Sequence, residues 1–230
     1  LAASPVRLDV QCGDARWLTQ SGVSFDEAAS GPAIVVTAEL VAEPANDLIL
    51  HPPVLALGLG CERDCDPAEL QALVEQTLAE AGLSAKSVAC VVSLDLKIDE
   101  PAVHAVAARL GVPARFFIAA ELMVETPRLA NPSDVVFNEV GCYGVSEGAA
   151  LAVAGIDGSL RVQKKRSQRA TCAIGYNAGG IDGEALGRKR GRLSIIGIGP
   201  GSDYWRTPEA SAQLAAASDV VGYGLYLDLV

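Results

Sequence analysis

The chain is poor in aromatic residues: four Phe, five Tyr and two Trp make up 5% of its 230 residues, beside one Met and two His. With so few rings, a core has to be built from aliphatic side chains. Long apolar runs are missing too. A helix that crosses a bilayer needs roughly 18–20 apolar residues; the runs here fall well short of that, and residues 54–60 are strand-sized. No membrane partner is expected. The first residue is Leu1, and no basic stretch followed by an apolar one opens the chain, so no signal peptide is read. The chain reads as a fragment cut at both ends, with the cytoplasm as its expected setting. Of the six cysteines only Cys61 and Cys65 lie close together, and no second pair completes a zinc knuckle; His51 and His104 stand in unrelated contexts. No metal site is expected, and the thiols read as small, reduced core residues.

What is present is aliphatic and acidic. Half the residues are hydrophobic, Ala, Val and Leu dominate, and 23 are Gly. That mix suits alternating strands and helices. Net charge is −10, but nine of the 18 Lys and Arg fall in residues 161–192, opposed there only by Asp182 and Glu184. Such a segment is either a solvated hairpin with a linker or an anion site for a polycarboxylate or phosphate. Nucleic acid is not expected as a partner, because the acidic remainder repels it and no aromatics are interleaved.

Residues 1–52 read as the tail of a preceding domain, with a strand at Ala33-Ile34-Val35-Val36-Thr37 and one helical turn at Asp26-Glu27-Ala28-Ala29. His51-Pro52-Pro53 punctuates the chain. Residues 54–60 then form an apolar strand covered on both faces. Asp66-Pro67 with Glu69 opens a helix whose stripe is Leu70, Leu73, Val74, Thr77 and Leu78, and Gly82 stops it. A second strand at 87–93 is followed by a helix opened by Asp99 or Glu100 with Pro101. A third strand at 115–118 and a short helix at Glu121-Leu122 come next, and then helices at 135–140 and 145–154. Strands at 160–163 and 170–176, joined by the basic residues 164–169, make an antiparallel hairpin. The expected fold over 53–176 is α/β: a three-layer domain with a mainly parallel sheet and an antiparallel edge hairpin. Residues 177–190 carry four glycines and no apolar period, and read as a linker. Residues 191–230 read as β-α-β: strands at 193–198 and 219–223 around a helix opened by Thr207-Pro208-Glu209.

Three clusters are candidates for chemistry. Gly60, Cys61 and Arg63 follow the first strand, and Asp95, Lys97 and Glu100 follow the second. In doubly wound sheets ligands bind outside these carboxyl ends. Lys97 and the basic hairpin with Lys164, Lys165, Arg166 and Ser167 would bring cations to one edge, where several exposed pairs, each contributing about 0–1 kcal/mol, act together. Asp95 or Glu100 is a candidate general base and Lys97 an oxyanion stabiliser. The competing reading is that Asp95 pairs with Lys97 and that Asp99 or Glu100 caps the next helix. Cys61 as nucleophile lacks a supporting His. The third cluster is the glycine turn Gly199-Pro200-Gly201, which exposes backbone N–H groups to a ligand.

Two sets of motifs resemble known families. Gly58-Leu59-Gly60-Cys61-Glu62-Arg63, residues 93–101, Phe116-Phe117, Val145-Ser146-Glu147-Gly148-Ala149-Ala150 and residues 164–174 resemble the C-terminal domain of the CbiG/CobE family of cobalamin biosynthesis, which includes cobalt-precorrin-5A hydrolases. Family members commonly carry Gly-Cys-Arg-Arg-type residues after the first strand; here Glu62 stands in place of a base. Gly191-Arg192-Leu193, Gly197-Ile198-Gly199-Pro200-Gly201, Asp203, Thr207-Pro208-Glu209-Ala210 and residues 217–223 resemble the N-terminal start of the tetrapyrrole methylase family, in particular the precorrin-3B C(17)-methyltransferases. The first resemblance implies that residues 1–52 end a CbiG-like middle domain and that the partner of 53–176 is an anionic tetrapyrrole or corrinoid intermediate, with no cofactor. The second implies S-adenosylmethionine as cofactor of a complete methylase domain, bound near Gly199, Pro200 and Gly201, and no methyl transfer by residues 191–230 alone. The parent chain is then a bifunctional hydrolase and methyltransferase, or the domain is a corrinoid-binding module that hands its ligand to a fused methyltransferase. Other cobalamin-pathway enzymes are further candidate partners.

Overall fold

In the computed structural model the described residues are 5–26, 31–41 and 46–229. They fall into two units, Leu1–Arg190 and Gly191–Val230. The helical turn expected at 26–29 lies largely outside the described residues.

The first unit opens with a small parallel sheet, β1 (Arg7–Val10), β2 (Ala33–Val36) and β3 (Leu48–Leu50), in that spatial order, with α1 (Arg16–Thr19) between β1 and β2. Residues 53–176 then follow the expected alternation. The elements are β4 (Leu55–Cys61), α2 (Pro67–Glu80), β5 (Val88–Leu94), α3 (Pro101–Leu110), β6 (Ala114–Phe117), α4 (Ala119–Met123), α5 (Asp134–Val140), α6 (Val145–Ala154), β7 (Ser159–Arg166) and β8 (Ala170–Tyr176). The sheet order is β6-β5-β4-β8-β7. β4, β5 and β6 are parallel, and the β7–β8 hairpin joins antiparallel to β4. The carboxyl ends of the parallel strands therefore meet the hairpin turn, with Cys61 opposite Ala170.

Strand alternation divides the core into two faces. Leu55, Leu57 and Leu59 of β4 pack with Leu70, Leu73 and Val74 of α2 and Val103 and Val106 of α3. Each such side chain contributes about 1.5–3 kcal/mol when fully buried. The opposite face of β4 presents Ala56, Gly58 and Gly60, and α6 lies against it. A Cβ on Gly58 would come within 1.8 Å of the Ser146 carbonyl oxygen. The glycine is what lets the helix approach.

Local signals explain most boundaries. The Asp66 side chain accepts from the Ala68 N–H at 2.9 Å, and Pro67 takes the first helical position. Glu69 does not close a capping box. It reaches the hairpin turn instead, accepting from Ser167 Oγ at 2.5 Å and the Arg169 N–H at 2.8 Å.

Two expectations need correction. Residues 177–190 are no free linker. Phe116 and Arg188 exchange backbone hydrogen bonds at 2.8 and 2.7 Å, the Ile181 N–H donates to Pro53 O at 2.7 Å, and Ile181 is buried in the core. Arg115 donates to the Leu186 and Gly187 carbonyls, both at 2.8 Å. The segment is a strap that closes the β6 edge. Its glycines permit contact: a Cβ on Gly183 would sit 2.4 Å from Ala89 O.

The second correction concerns Gly191–Val230. Its helix α7 (Pro208–Ala215) forms as expected, the Thr207 hydroxyl accepting from the Ala210 N–H, and a short α8 (Gly224–Leu227) follows. Residues 193–198 and 219–223 form no strands, and Leu193, Ile195 and Val221 are exposed. A strand exists only with a ladder partner, and no sheet is present among the described residues of this unit.

Candidate functional site

A cavity of about 570 Å³ opens at the carboxyl ends of β4 and β5, walled by the β7–β8 turn on one side and α5 and the start of α6 on the other. Gly60, Cys61, Arg63, Lys97, Lys164, Arg166 and Ser167 all line it. Lys97 and the hairpin tip, far apart in sequence, thus share one site.

The remaining expected residues lie elsewhere. Asp95 and Glu100 are not on the cavity wall. Asp95 forms no ion pair with Lys97 among the described residues; the Lys97 partner is Glu100, 3.7 Å from Nζ. Glu100 stands at the N-cap of α3 but makes no capping bond. Its carboxylate is wholly buried, with the Asp64 N–H 3.4 Å from Oε2 and no hydrogen-bond partner for Oε1. A side chain with no accessible surface cannot take a proton directly from a ligand. Lys165 points to the other face, 3.2 Å from Glu80 at the end of α2.

Backbone irregularity explains that split. Val162 pairs with Ile174 and Lys165 with Cys172, so three steps on β7 match two on β8. The extra residue is a bulge that reverses which side chains face the cavity. It directs Lys164 and Arg166 inward and Lys165 outward.

Five cations line the cavity against two carboxylates, Glu62 and Glu139. Their surroundings differ. Arg63 binds Asp99 at 2.7 Å and donates to Leu96 O, tying the β4–α2 and β5–α3 loops together. Arg169 binds Glu62 at 2.9 Å, so Glu62, the residue in place of a base, is neutralised locally. Lys164 Nζ donates to Asn131 O at 3.0 Å, and Arg166 has no ion-pair partner among the described residues. The Cys61 thiol is pushed up to about 11, chiefly by burial and against the pull of Lys97. It is a thiol at neutral pH and a poor nucleophile.

Sequence reading took Arg169 only as part of the basic turn 164–169 and gave no site role to Glu147, Asn131 or Ser146. Glu147, in the first turn of α6 and 2% exposed, accepts from the N–H groups of Ala130, Asn131 and Lys164 and from Asn131 Nδ2, at 2.8–2.9 Å. Burial alone would raise its carboxyl, but these donors hold it below the usual carboxylate range. It locks the 130–131 loop and β7 to the base of the cavity. An acid at the third position of the largely apolar segment 145–154 was the available signal.

The turn at Gly199, Pro200 and Gly201 is packed by neighbouring residues of Gly191–Val230. The positions of the missing side chains are taken by the chain itself: Trp205 O lies 3.0 Å from a Cβ on Gly199 and Leu229 Cδ1 3.0 Å from one on Gly201. No group of His, Cys, Asp or Glu among the described residues is arranged to hold a metal ion. No helix among them is long and apolar enough to cross a membrane.

The family model for the cobalamin synthesis G C-terminus matches residues 55–175. Protein CobE of Sinorhizobium sp is 50% identical over 120 residues, covering 52% of this chain and 78% of that protein. A cobalt-precorrin-5A hydrolase of Priestia megaterium is 37% identical over 153 residues, 64% of this chain but 40% of the hydrolase. A 48-residue stretch is 46% identical to the cobalamin biosynthesis protein CobIJ of Mycobacterium bovis, 9% of that protein's length. The solved structure of CobE, a protein from the cobalamin (vitamin B12) biosynthetic pathway, superposes with a TM-score of 0.51 at 38% identity, covering 54% of this chain and 89% of that one.

Proposed function

The chain belongs to the cobalamin synthesis G C-terminus family, and from that premise we propose that residues 53–176 bind an anionic corrin-ring intermediate in the cavity above the sheet. The observation that carries this reading is the convergence of Arg63, Lys97, Lys164, Arg166 and Arg169 on one cavity in a chain of net charge −10. A ring bearing several acetate and propionate carboxylates complements such a wall, and its attraction falls with added salt. Lys97 and Arg63 address the ring from the strand ends, Lys164, Arg166 and Ser167 from the hairpin.

Between the carrier and hydrolase readings, the geometry favours holding over hydrolysis. Asp95 and Glu100 do not reach the cavity and Cys61 stays protonated, so Lys97 is the one member of the expected catalytic set that can touch a ligand. The hydrolase reading retains the likeness to the Priestia megaterium enzyme. In the parent protein, a methyltransferase using S-adenosylmethionine would lie beyond the hairpin domain, a reading that rests on the short match to CobIJ. No methyl-transfer step is assigned to Gly191–Val230 alone.

The test is a visible-absorbance titration of the full chain with cobyrinic acid, a corrin with free carboxylates, beside its neutral methyl ester. The acid should bind in a salt-dependent manner and the ester should not; equal binding of both would sink the reading. Adding a lactone corrinoid separates the activities, because acetaldehyde release marks hydrolysis and a spectral shift without release marks carriage.

A further inference from the structure

Resting on the corrin-binding reading, we propose that the start of α6 is the seat for one carboxylate of the ligand, held by the Val145 and Ser146 N–H groups, the Ser146 hydroxyl and the side chains of Lys164 and Arg166.

The helix is ten residues long and its N-cap is Gly144, which has no side chain to cap it. The N–H groups of Val145, Ser146 and Glu147 find no acceptor among the described residues. Glu147 would be the natural local acceptor, but its carboxylate is turned away onto Ala130, Asn131 and Lys164. The first turn thus keeps free donors and the positive end of the helix dipole, the arrangement that attracts an anion.

Ser146 supplies the independent sign. It is 2% exposed and lines the cavity, yet its hydroxyl makes no hydrogen bond among the described residues. The buried side-chain polar atom left without a partner among the described residues is Glu100 Oε1, so the Ser146 hydroxyl opens onto the cavity rather than being sealed in the core. An acceptor that arrives with the ligand would give this cavity-facing hydroxyl its partner.

Charge pairing points to the same place. Arg63, Lys97 and Arg169 each have a carboxylate within 4 Å, so their charge is largely spent inside the protein. Lys164 binds only a backbone carbonyl and Arg166 no acid. Glu139 of α5 is the opposing carboxylate on the wall. The uncompensated positive charge therefore lies on β7, and the cavity connects it to the start of α6. Gly60 keeps the floor open: a Cβ there would meet Thr171 Oγ1 at 2.7 Å and Val145 Cβ at 3.6 Å.

The experiment uses the full chain and two probes. Cobyrinic acid is titrated by absorbance, and inorganic phosphate by NMR of the Val145 and Ser146 amides. Ser146→Ala should weaken cobyrinic acid about ten-fold, the scale of one hydrogen bond to a charged group. Its thermal midpoint should not fall, because the hydroxyl bonds nothing in the chain. Arg166→Gln should weaken binding and flatten its salt dependence. Phosphate should shift both amides in the wild type and compete with the ring. If Ser146→Ala binds cobyrinic acid as the wild type does while Lys97→Gln does not, the carboxylate sits elsewhere and the seat is wrong. If the wild type ignores cobyrinic acid but phosphate still moves the two amides, the seat stands as an anion site and the ring reading fails. Silence from both probes overturns both.

Discussion

The two faces of β4 are built on opposite principles. One face offers Leu55, Leu57 and Leu59 to α2 and α3; the other offers Ala56, Gly58 and Gly60 to α6. The large face stabilises by buried area. The small face stabilises little by itself, but it seats α6 close enough to bring Ser146 and Glu147 to the cavity. One strand therefore holds the fold together with its odd-numbered residues and positions the site with its even-numbered ones.

Substitutions on each face should fail in different ways. The largest loss is expected for Leu57→Ala, about 2–5 kcal/mol in urea unfolding, from lost area and the cavity left behind. Ligand binding by the folded fraction should be unchanged. Gly58→Ala should cost about 3 kcal/mol, at the top of the overpacking range, because the new methyl meets backbone at Ser146. Unlike Leu57→Ala, it should also weaken cobyrinic acid binding, since α6 has to move; equal binding by both variants would erase the distinction between the faces.

Glu147→Gln should cost about 2 kcal/mol near neutral pH, because one carboxylate satisfies four donors. The sign with pH follows from its lowered titration. The charged form stabilises the fold above the ordinary carboxylate range, and that contribution is lost as pH falls through the lowered value. Unfolding curves of wild type and variant should converge in acid; a gap that stays constant with pH would refute the assignment. The smallest effect belongs to Lys165→Gln. Lys165 sits on the α2 side in a half-exposed pair with Glu80, so both stability, within about 0.5 kcal/mol, and binding should hold. A binding loss matching that of Arg166→Gln would mean the bulge does not sort these neighbours.

Much of the fold was legible in the chain. The runs around β4 and β5, the Asp66-Pro67 start of α2 and the Pro101 start of α3 are local signals, and each element formed within a residue or two of its expected place. Of the site, the strand-end residues Gly60, Cys61, Arg63 and Lys97 and the hairpin residues Lys164, Arg166 and Ser167 were legible, because strand ends and a basic turn can be read in one dimension. Asp95 and Glu100 were misplaced, since spacing cannot show that one falls off the wall and the other sinks beneath it. The strap at 177–190 was misread because glycines that permit backbone contact look, in a sequence, like glycines that permit flexibility.

The chain by itself determined the alternation of strands and helices, their caps and the aliphatic face of each, because these follow from periodicity and from side chains acting on their own backbone. Only the tertiary structure decided which cations face the cavity, since a bulge in β7 is defined by its pairing with β8 and not by any residue within it. The same physics left 193–198 and 219–223 without strand structure. Their apolar pattern is sufficient for a strand only where a neighbouring strand supplies the other half of each hydrogen bond.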